Sequence, residues 1–268
     1  MSTTEPLRVA IHGAGGRMGQ RLIALGCEDD ALQIAACIDH VEHPSIGQDA
    51  GRMSGGDELG VPLASDLETA VDVIIDFSVP AGVDRVLELS KSQKIPLVLA
   101  TTGLSAEQQK SIRDISHVIP IVFAPSMSLA VNLAMKLVGI AGEHLKTYGP
   151  GADVEIIERH HRFKEDAPSG TALRFGSLVA DAMGQQHHVH GREGRPGARP
   201  HDEIGYHALR TGDNPGEHTI VFGMMGETME LTVRATNRDC YALGALAAAK
   251  FAARQAPGLY TMNDVFDL

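Results

Sequence analysis

Cysteine is too sparse and too scattered in this 268-residue chain to cross-link it or to hold a metal. Cys27, Cys37 and Cys240 are odd in number and show no CxxC spacing, which argues against a disulfide framework and a thiolate zinc site. They are expected to be packed thiols. Positive charge is also short, since 23 basic against 34 acidic residues leave a formal charge of -11. A surface of that sign repels nucleic acid and anionic membrane alike, so neither is expected as a partner, and any bound anion must be held by a local site. No apolar run reaches the length of a membrane span, and the amino-terminal MSTTEPLRVAIHG has no basic segment leading into an apolar one. A cytoplasmic protein is the expectation. With 4% aromatic residues among 43% hydrophobic ones, the core must be mainly aliphatic. No internal repeat or low-complexity tract is evident.

What the chain does have is alternation of strand and helix signals. Residues 7–12 (LRVAIH) form an aliphatic run that meets a glycine cluster, after which Met18, Leu22 and Leu25 recur at helical spacing. Further aliphatic runs at 33–38, 72–77, 96–100 and 118–123 are separated by segments such as 80–92 and 105–115 that read as helices. This order predicts an α/β, Rossmann-like parallel sheet covered on both faces. After a long helix near 128–147, the YGPGAD stretch at 148–153 marks a change of texture. Residues 153–160 (DVEIIERH) then read as a strand, and TMELTVRAT (228–236) alternates Met229, Leu231, Val233 and Ala235 with Glu230, Thr232 and Arg234. A second, α+β mixed-sheet domain is therefore expected. Residues 185–202, rich in Gly, His, Arg and Pro, read as one long loop of a functional or mobile kind.

GAGGRMG (13–19) directly follows the first strand. Gly13, Gly16 and Gly19 permit a tight turn and close approach of backbone to a pyrophosphate, which would sit on the amino terminus of the next helix where free N–H groups and the helix dipole favour negative charge. The spacing is GxxGxxG, with Met18 in the place of the last glycine of the usual GxGxxG. Asp39, about 20 residues further on, ends the second strand, where an acid accepts from the adenosine ribose hydroxyls. Arg17 either flanks the phosphates or is a solvated first-turn arginine. ATTG (100–103) and APSMS (124–128) follow the fourth and fifth aliphatic runs and are placed either to touch the nicotinamide end of a dinucleotide or to act as turns and caps, with Ser105 and Ser128 as candidate N-caps.

ERHHRFKEDAPSGTA (158–172) is the densest chemical stretch. Neighbouring strand side chains point to opposite faces, so His160 and His161 cannot share a face unless the strand ends there. Lys164 and Asp166 fall in a loop, and Ser169-Gly170-Thr171 begins a helix carrying Leu173, Leu178, Val179 and Met183. A helix start with a small-residue turn offers amide donors to an anion, and Lys164 supplies a compact positive charge. The stretch reads as a carboxylate or phosphate receptor beside a titratable imidazole. A purely structural reading stands next to it, in which Ser169 caps the helix and the imidazoles bond the sheet. Zinc is disfavoured, because the histidine pair has no third ligand at the usual spacing and no HExxH is present.

EIIERHHRFKEDAPSGTA, together with GAGGRMG and RTGDNPGEHTIVF (210–222), resembles the 4-hydroxy-tetrahydrodipicolinate reductase family, long called dihydrodipicolinate reductases, through nearly the whole chain. The resemblance implies a dinucleotide-binding domain over 1–130 completed by 239–268, a substrate-binding and oligomerisation domain over 131–238, and a homotetramer assembled through the substrate-domain sheets. It implies reduction of a small cyclic, unsaturated dicarboxylate by NADH or NADPH, with loss of water, in the diaminopimelate route to lysine. By matching positions, His160 is the acid/base residue, Lys164 the proton donor, and His161, Ser169, Gly170 and Thr171 substrate contacts. Gly13, Ala14, Gly15, Gly16, Arg17, Met18, Asp39, Ala100, Thr101, Thr102, Ala124, Pro125, Ser126 and Met127 line the dinucleotide. The chain departs from the family pattern with Ala100 for the usual glycine, Pro125-Ser126 for a pair that often carries asparagine, Asp39 for glutamate, and His40 where many members have arginine. Asp39 favours NADH, and His40 would offset a 2′-phosphate only when protonated. The other readings are a different NAD(P)-dependent oxidoreductase of a small amino or keto acid, or a non-catalytic dinucleotide sensor.

Overall fold

The structure, a computed structural model, describes residues 5–149 and 151–268; residues 1–4 and Pro150 of the YGPGAD stretch lie outside it. The elements run β1 (Leu7–His12), α1 (Arg17–Cys27), β2 (Leu32–Ile38), α2 (Ala50–Met53), β3 (Leu63–Ala64), β4 (Val73–Asp76), α3 (Pro80–Gln93), β5 (Leu97–Leu99), α4 (Ala106–Ser116) and β6 (Pro120–Phe123). They continue with α5 (Leu129–Leu145), β7 (Asp153–His160), α6 (Gly170–Met183), β8 (His187–His190), β9 (Glu203–Arg210), β10 (Glu217–Met224), β11 (Glu227–Arg234), α7 (Asp239–Ala252), β12 (Gly258–Tyr260) and α8 (Met262–Phe266). Two compact units result, one holding residues up to Leu129 together with Arg238–Asp267, the other Ala130–Asn237.

In the first unit seven parallel strands lie in the order β12-β6-β5-β4-β1-β2-β3. The strands are short aliphatic runs because both faces are buried. Their residues alternate between two cores: Val9, Ile11, Val73, Ile75, Val98 and Val122 pack against one layer with α1 and α7, while Ala10, Ile74, Leu97, Leu99 and Ile121 pack against α3 and α4 on the other. Helix α7 is rich in alanine, so it approaches the sheet closely; a side chain at Gly244 would strike the Met127 carbonyl. Local signals place the boundaries. Pro80 opens α3, and Ser105 with Gln108 forms a reciprocal capping box on α4. Cys37 is buried, which pushes its thiol up to about 12. Cys27 differs from the packed thiol expected: it is the last residue of α1, directly after the inward-facing Gly26, and is exposed.

The second unit is a five-stranded mixed sheet in the order β11-β10-β7-β9-β8. Central β7 alternates in burial, so Val154, Ile156, Glu158 and His160 face inward. Val154 and Ile156 meet Val131 and Val138 of α5, and Phe175 and Val179 of α6. Strand β11 shows the expected alternation, with Glu230, Thr232 and Arg234 outward. The stretch 185–202 is not one continuous loop, because His187–His190 pair in parallel with Glu203–Tyr206 as edge strand β8. The remainder is pinned by Arg192 and Arg199, whose guanidiniums reach Glu155 at 2.7 and 3.0 Å.

Candidate functional site

In the first unit the chain order reverses between β1 and β4, the place where open parallel sheets bind ligands beyond the strand ends. The GAGGRMG turn sits there. Gly13 has φ +78, a backbone region that side chains rarely enter, and a Cβ on Gly19 would collide with the Gly13 carbonyl, so both glycines are required for the turn to fold back on α1. Helix α1 starts at Arg17 after Gly16, which offers no side-chain cap, and its first turn holds no acid. Its leading amides are thus open to an anion. Arg17 and Gly16 are exposed, Ala14 is buried, and Met18 packs partly against the core. Asp39 follows β2; its Oδ2 accepts from the Gly15 amide at 2.8 Å and its Oδ1 from the His40 amide at 2.8 Å. A bare amide cradle with a carboxylate fixed beside it fits a dinucleotide.

The loops after β5 and β6 end at the same edge. Thr101 turns its hydroxyl inward, donating to Asp76 Oδ2 at 2.6 Å, while His12 Nδ1 lies 2.5 Å from Asp76 Oδ1. Asp76 is wholly buried, so this chain ties together the ends of β1, β4 and β5. Thr102 and Pro125 are exposed at the edge, whereas Ala100, Ala124, Ser126 and Met127 are buried.

In the second unit His160 is the last residue of β7 and faces inward, and His161 begins the following turn. His160 Nδ1 meets Glu158 Oε2 at 2.6 Å, which leaves Nε2 for chemistry. Glu158, 1% exposed, also accepts both guanidinium arms of Arg210 at 2.8 Å and the Ser169 amide at 3.0 Å. Burial alone would raise this carboxyl; the hydrogen bonds from His160 and Arg210 outweigh it and hold it at about 2. Arg210 further donates to the Asp166 carbonyl at 2.6 Å, so one charge network fixes the loop that carries Lys164. Lys164 Nζ pairs with Asp166 at 2.7 Å and stays partly exposed.

Ser169 caps α6 by accepting from the Ala172 amide, and its hydroxyl lies 3.0 Å from His218 Nε2. Burial, and next the neighbouring His160, push His218 down to about 4, so its ring is neutral at ordinary pH. The first intrahelical bond of α6 runs from Leu173 to Ser169, and the amides of Gly170 and Thr171 precede it at the exposed end. His161 stacks obliquely 6.3 Å from Phe163. Glu158, Arg210 and His218 escaped the sequence reading. The signal for Glu158 was present, since a glutamate at an inward position of an alternating strand needs partners.

Comparison with known proteins agrees with this arrangement. The family model "Dihydrodipicolinate reductase, N-terminus" matches residues 7–127, and "Dihydrodipicolinate reductase, C-terminus" matches residues 130–266. The chain is 52% identical to the 4-hydroxy-tetrahydrodipicolinate reductase of Rhodopirellula baltica over 99% of its own length and 98% of that protein. It is 45% identical to that of Syntrophotalea carbinolica, covering 98% of this chain and 99% of that one. Among solved structures, dipicolinate-bound dihydrodipicolinate reductase from Paenisporosarcina sp. TG-14 superposes with a TM-score of 0.75 at 25% identity, covering 96% of this chain and 98% of that one. An amine dehydrogenase from Mycobacterium smegmatis, at 11% identity and TM-score 0.59, shares the fold alone over 98% of this chain and 97% of that one. With two domain models end to end and relatives matched over almost their full length, the chain belongs to the dihydrodipicolinate reductase family, and as a reductase with a Rossmann-like amino-terminal domain it uses NAD(P)H.

Proposed function

We propose that the chain reduces 4-hydroxy-tetrahydrodipicolinate to tetrahydrodipicolinate with loss of water, in the diaminopimelate route to lysine. The observation that carries this reading is the buried Glu158 carboxylate, which orients His160 and, through Arg210, the loop bearing Lys164. The bound dinucleotide supplies the hydride. Its addition to a conjugated imine builds negative charge that must be protonated, and a positioned acid contributes roughly 10²- to 10⁴-fold. Lys164 donates that proton, and His160 acts as the acid/base group. The substrate carboxylates rest on the amides of Gly170 and Thr171 at the Ser169 turn, with His161 alongside.

In the same reading residues 1–130 with 239–268 form the dinucleotide domain. Gly13 to Met18 cradle the pyrophosphate and Asp39 takes the ribose. Ala100, Thr101, Thr102, Ala124, Pro125, Ser126 and Met127 border the nicotinamide end. NADH is favoured, because a 2′-phosphate about 4 Å from Asp39 would meet a repulsion of ~1 kcal/mol in water or ~4 kcal/mol at an effective dielectric near 20. Residues 131–238 bind substrate and assemble a cytoplasmic homotetramer. Support for the assembly comes from the outer face of the second sheet, where Ile157 and Leu209 are each more than a third exposed. No described helix is long and apolar enough to cross a membrane.

Consumption of reduced nicotinamide with enzymatically generated substrate tests the reaction, and rapid turnover is expected. Turnover only with another amino or keto acid would move the chain to a different reductase chemistry, and cofactor binding without turnover would make it a sensor.

A further inference from the structure

The sequence draws attention to His40 as the imidazole beside Asp39, and the structure brings a second imidazole, His43, against the neighbouring glycine turn. His40 is exposed and its Nδ1 accepts from the Glu42 amide at 3.3 Å. Three residues on, the chain turns back: the His43 amide donates to the His40 carbonyl at 2.8 Å and the Ile46 amide to the His43 carbonyl at 3.0 Å. This turn lays the His43 ring on the glycine turn itself. A Cβ on Gly15 would stand 2.5 Å from His43 Nε2 and would collide with Cε1, so the absence of a side chain at Gly15 is what admits the imidazole.

The ring's protonation pattern is set by its neighbours. Nδ1 accepts from the Ser45 amide at 3.2 Å, so it carries no hydrogen and the neutral ring must carry one on Nε2. Gly15 is therefore flanked on two sides: its amide is bound by the Asp39 carboxylate, and its α-carbon is covered by a donor imidazole. An acceptor and a neutral donor thus border one backbone position in the turn between β1 and α1.

We infer that His43 is the specificity-determining residue for the cofactor's adenosine 2′ position, offering Nε2–H to a 2′-phosphate that Asp39 alone would repel. The inference rests on the reading in which the glycine turn and Asp39 hold the dinucleotide. It assigns complementary tasks to the pair: Asp39 accepts from the 2′-hydroxyl of NADH, and His43 donates to the 2′-phosphate of NADPH, so the site prefers the first yet admits the second. A hydrogen bond to a charged group changes affinity by about one to two decades.

Calorimetric titration with 5′-AMP and with 2′,5′-ADP isolates this end of the cofactor without any turnover. His43→Ala is expected to weaken 2′,5′-ADP by roughly tenfold while changing 5′-AMP by less than about threefold. His43→Gln, which keeps an N–H donor on a side chain of comparable reach, should recover part of the loss, and His40→Ala should change neither ligand by more than about twofold. If His43→Ala leaves the ratio of the two affinities as in the parent, or if His40→Ala takes the larger share, the assignment of His43 is overturned while the dinucleotide reading stands. A parent protein that binds neither nucleotide overturns both together.

Discussion

Helices α1 and α6 each begin at a turn that presents leading amides outward, and the two turns are built from opposite materials. At α1 the turn is made of absences: Gly16 provides no cap, and Gly13 and Gly19 allow a backbone path that a Cβ would block. At α6 the turn is crowded with contacts, since Ser169 caps the helix, shares a hydrogen bond with His218 and gives its amide to Glu158. In the proposed reading the difference follows from what each turn would receive. A pyrophosphate brings its own charge and needs only clearance and amides. A substrate that must also be protonated needs a group held at one position, and holding it takes a buried carboxylate with a full set of donors. The first turn should therefore be sensitive to added bulk and the second to removed charge.

The comparison would break most visibly at the chemical step. His160→Ala and Lys164→Ala are each expected to lower kcat by about two orders of magnitude or more, with NADH affinity within about twofold of the parent, because both residues lie in the second unit and the glycine turn in the first. Steady-state rates with NADH fluorescence titrations check both halves. A variant turning over at the parent rate would remove that residue from the mechanism.

A smaller effect sharpens the electrostatic side. His218 is held at about 4 in the folded protein against an ordinary 6.5, by burial first and then by His160. Between those values the unfolded chain binds a proton that the folded one refuses, so this contribution to stability is complete above about pH 6.5 and is lost as pH falls toward 4. Its ceiling is roughly 3 kcal/mol. Glu158, held at about 2 by its hydrogen bonds against the effect of burial, adds its own loss only in a lower window, from about 4.5 down. Urea unfolding followed by circular dichroism at pH 7 and pH 5 should show the upper window, and His218→Gln should flatten it. An unchanged slope in that variant would mean the window belongs to another group.

The first sheet was readable because strands buried on both faces must be aliphatic throughout, and glycine announces the turn after β1. Strand β11 was readable through its alternation. Strand β8 was not, because HHVH carries no apolar period and exists only by pairing with β9 at the sheet edge. The same limit applies to the site. His160, Lys164 and Ser169 stand within ten positions of one another and so read as one stretch. Glu158, Arg210 and His218 meet only through register, His218 lying across from Glu158 and Arg210 across from His160. That pairing is a property of the folded sheet and has no local signature in β9 or β10.

The smallest expected effect comes from exchanging the two caps. Gly16 has φ −73 and ψ 166, which any residue adopts, and a Cβ there would lie 3.2 Å from the Gly13 carbonyl oxygen, a distance that a slight shift relieves. Gly16→Ser therefore supplies the cap that α1 lacks and should stabilise the fold by a few tenths of a kcal/mol, since serine exceeds glycine at this position by about that much. Its hydroxyl would take an amide that the anion needs, so NADH affinity should fall by roughly tenfold as stability rises. Ser169→Ala runs the other way. It removes the cap of α6 at a cost of ~1 kcal/mol and deprives His218 Nε2 of its hydrogen-bond partner, with NADH affinity unchanged. Thermal melts and NADH titrations of the two variants read both quantities. Parent-like NADH affinity in Gly16→Ser would show that the leading amides of α1 do not hold the phosphates, and the contrast between a bare and a dressed helix start would lose its functional meaning.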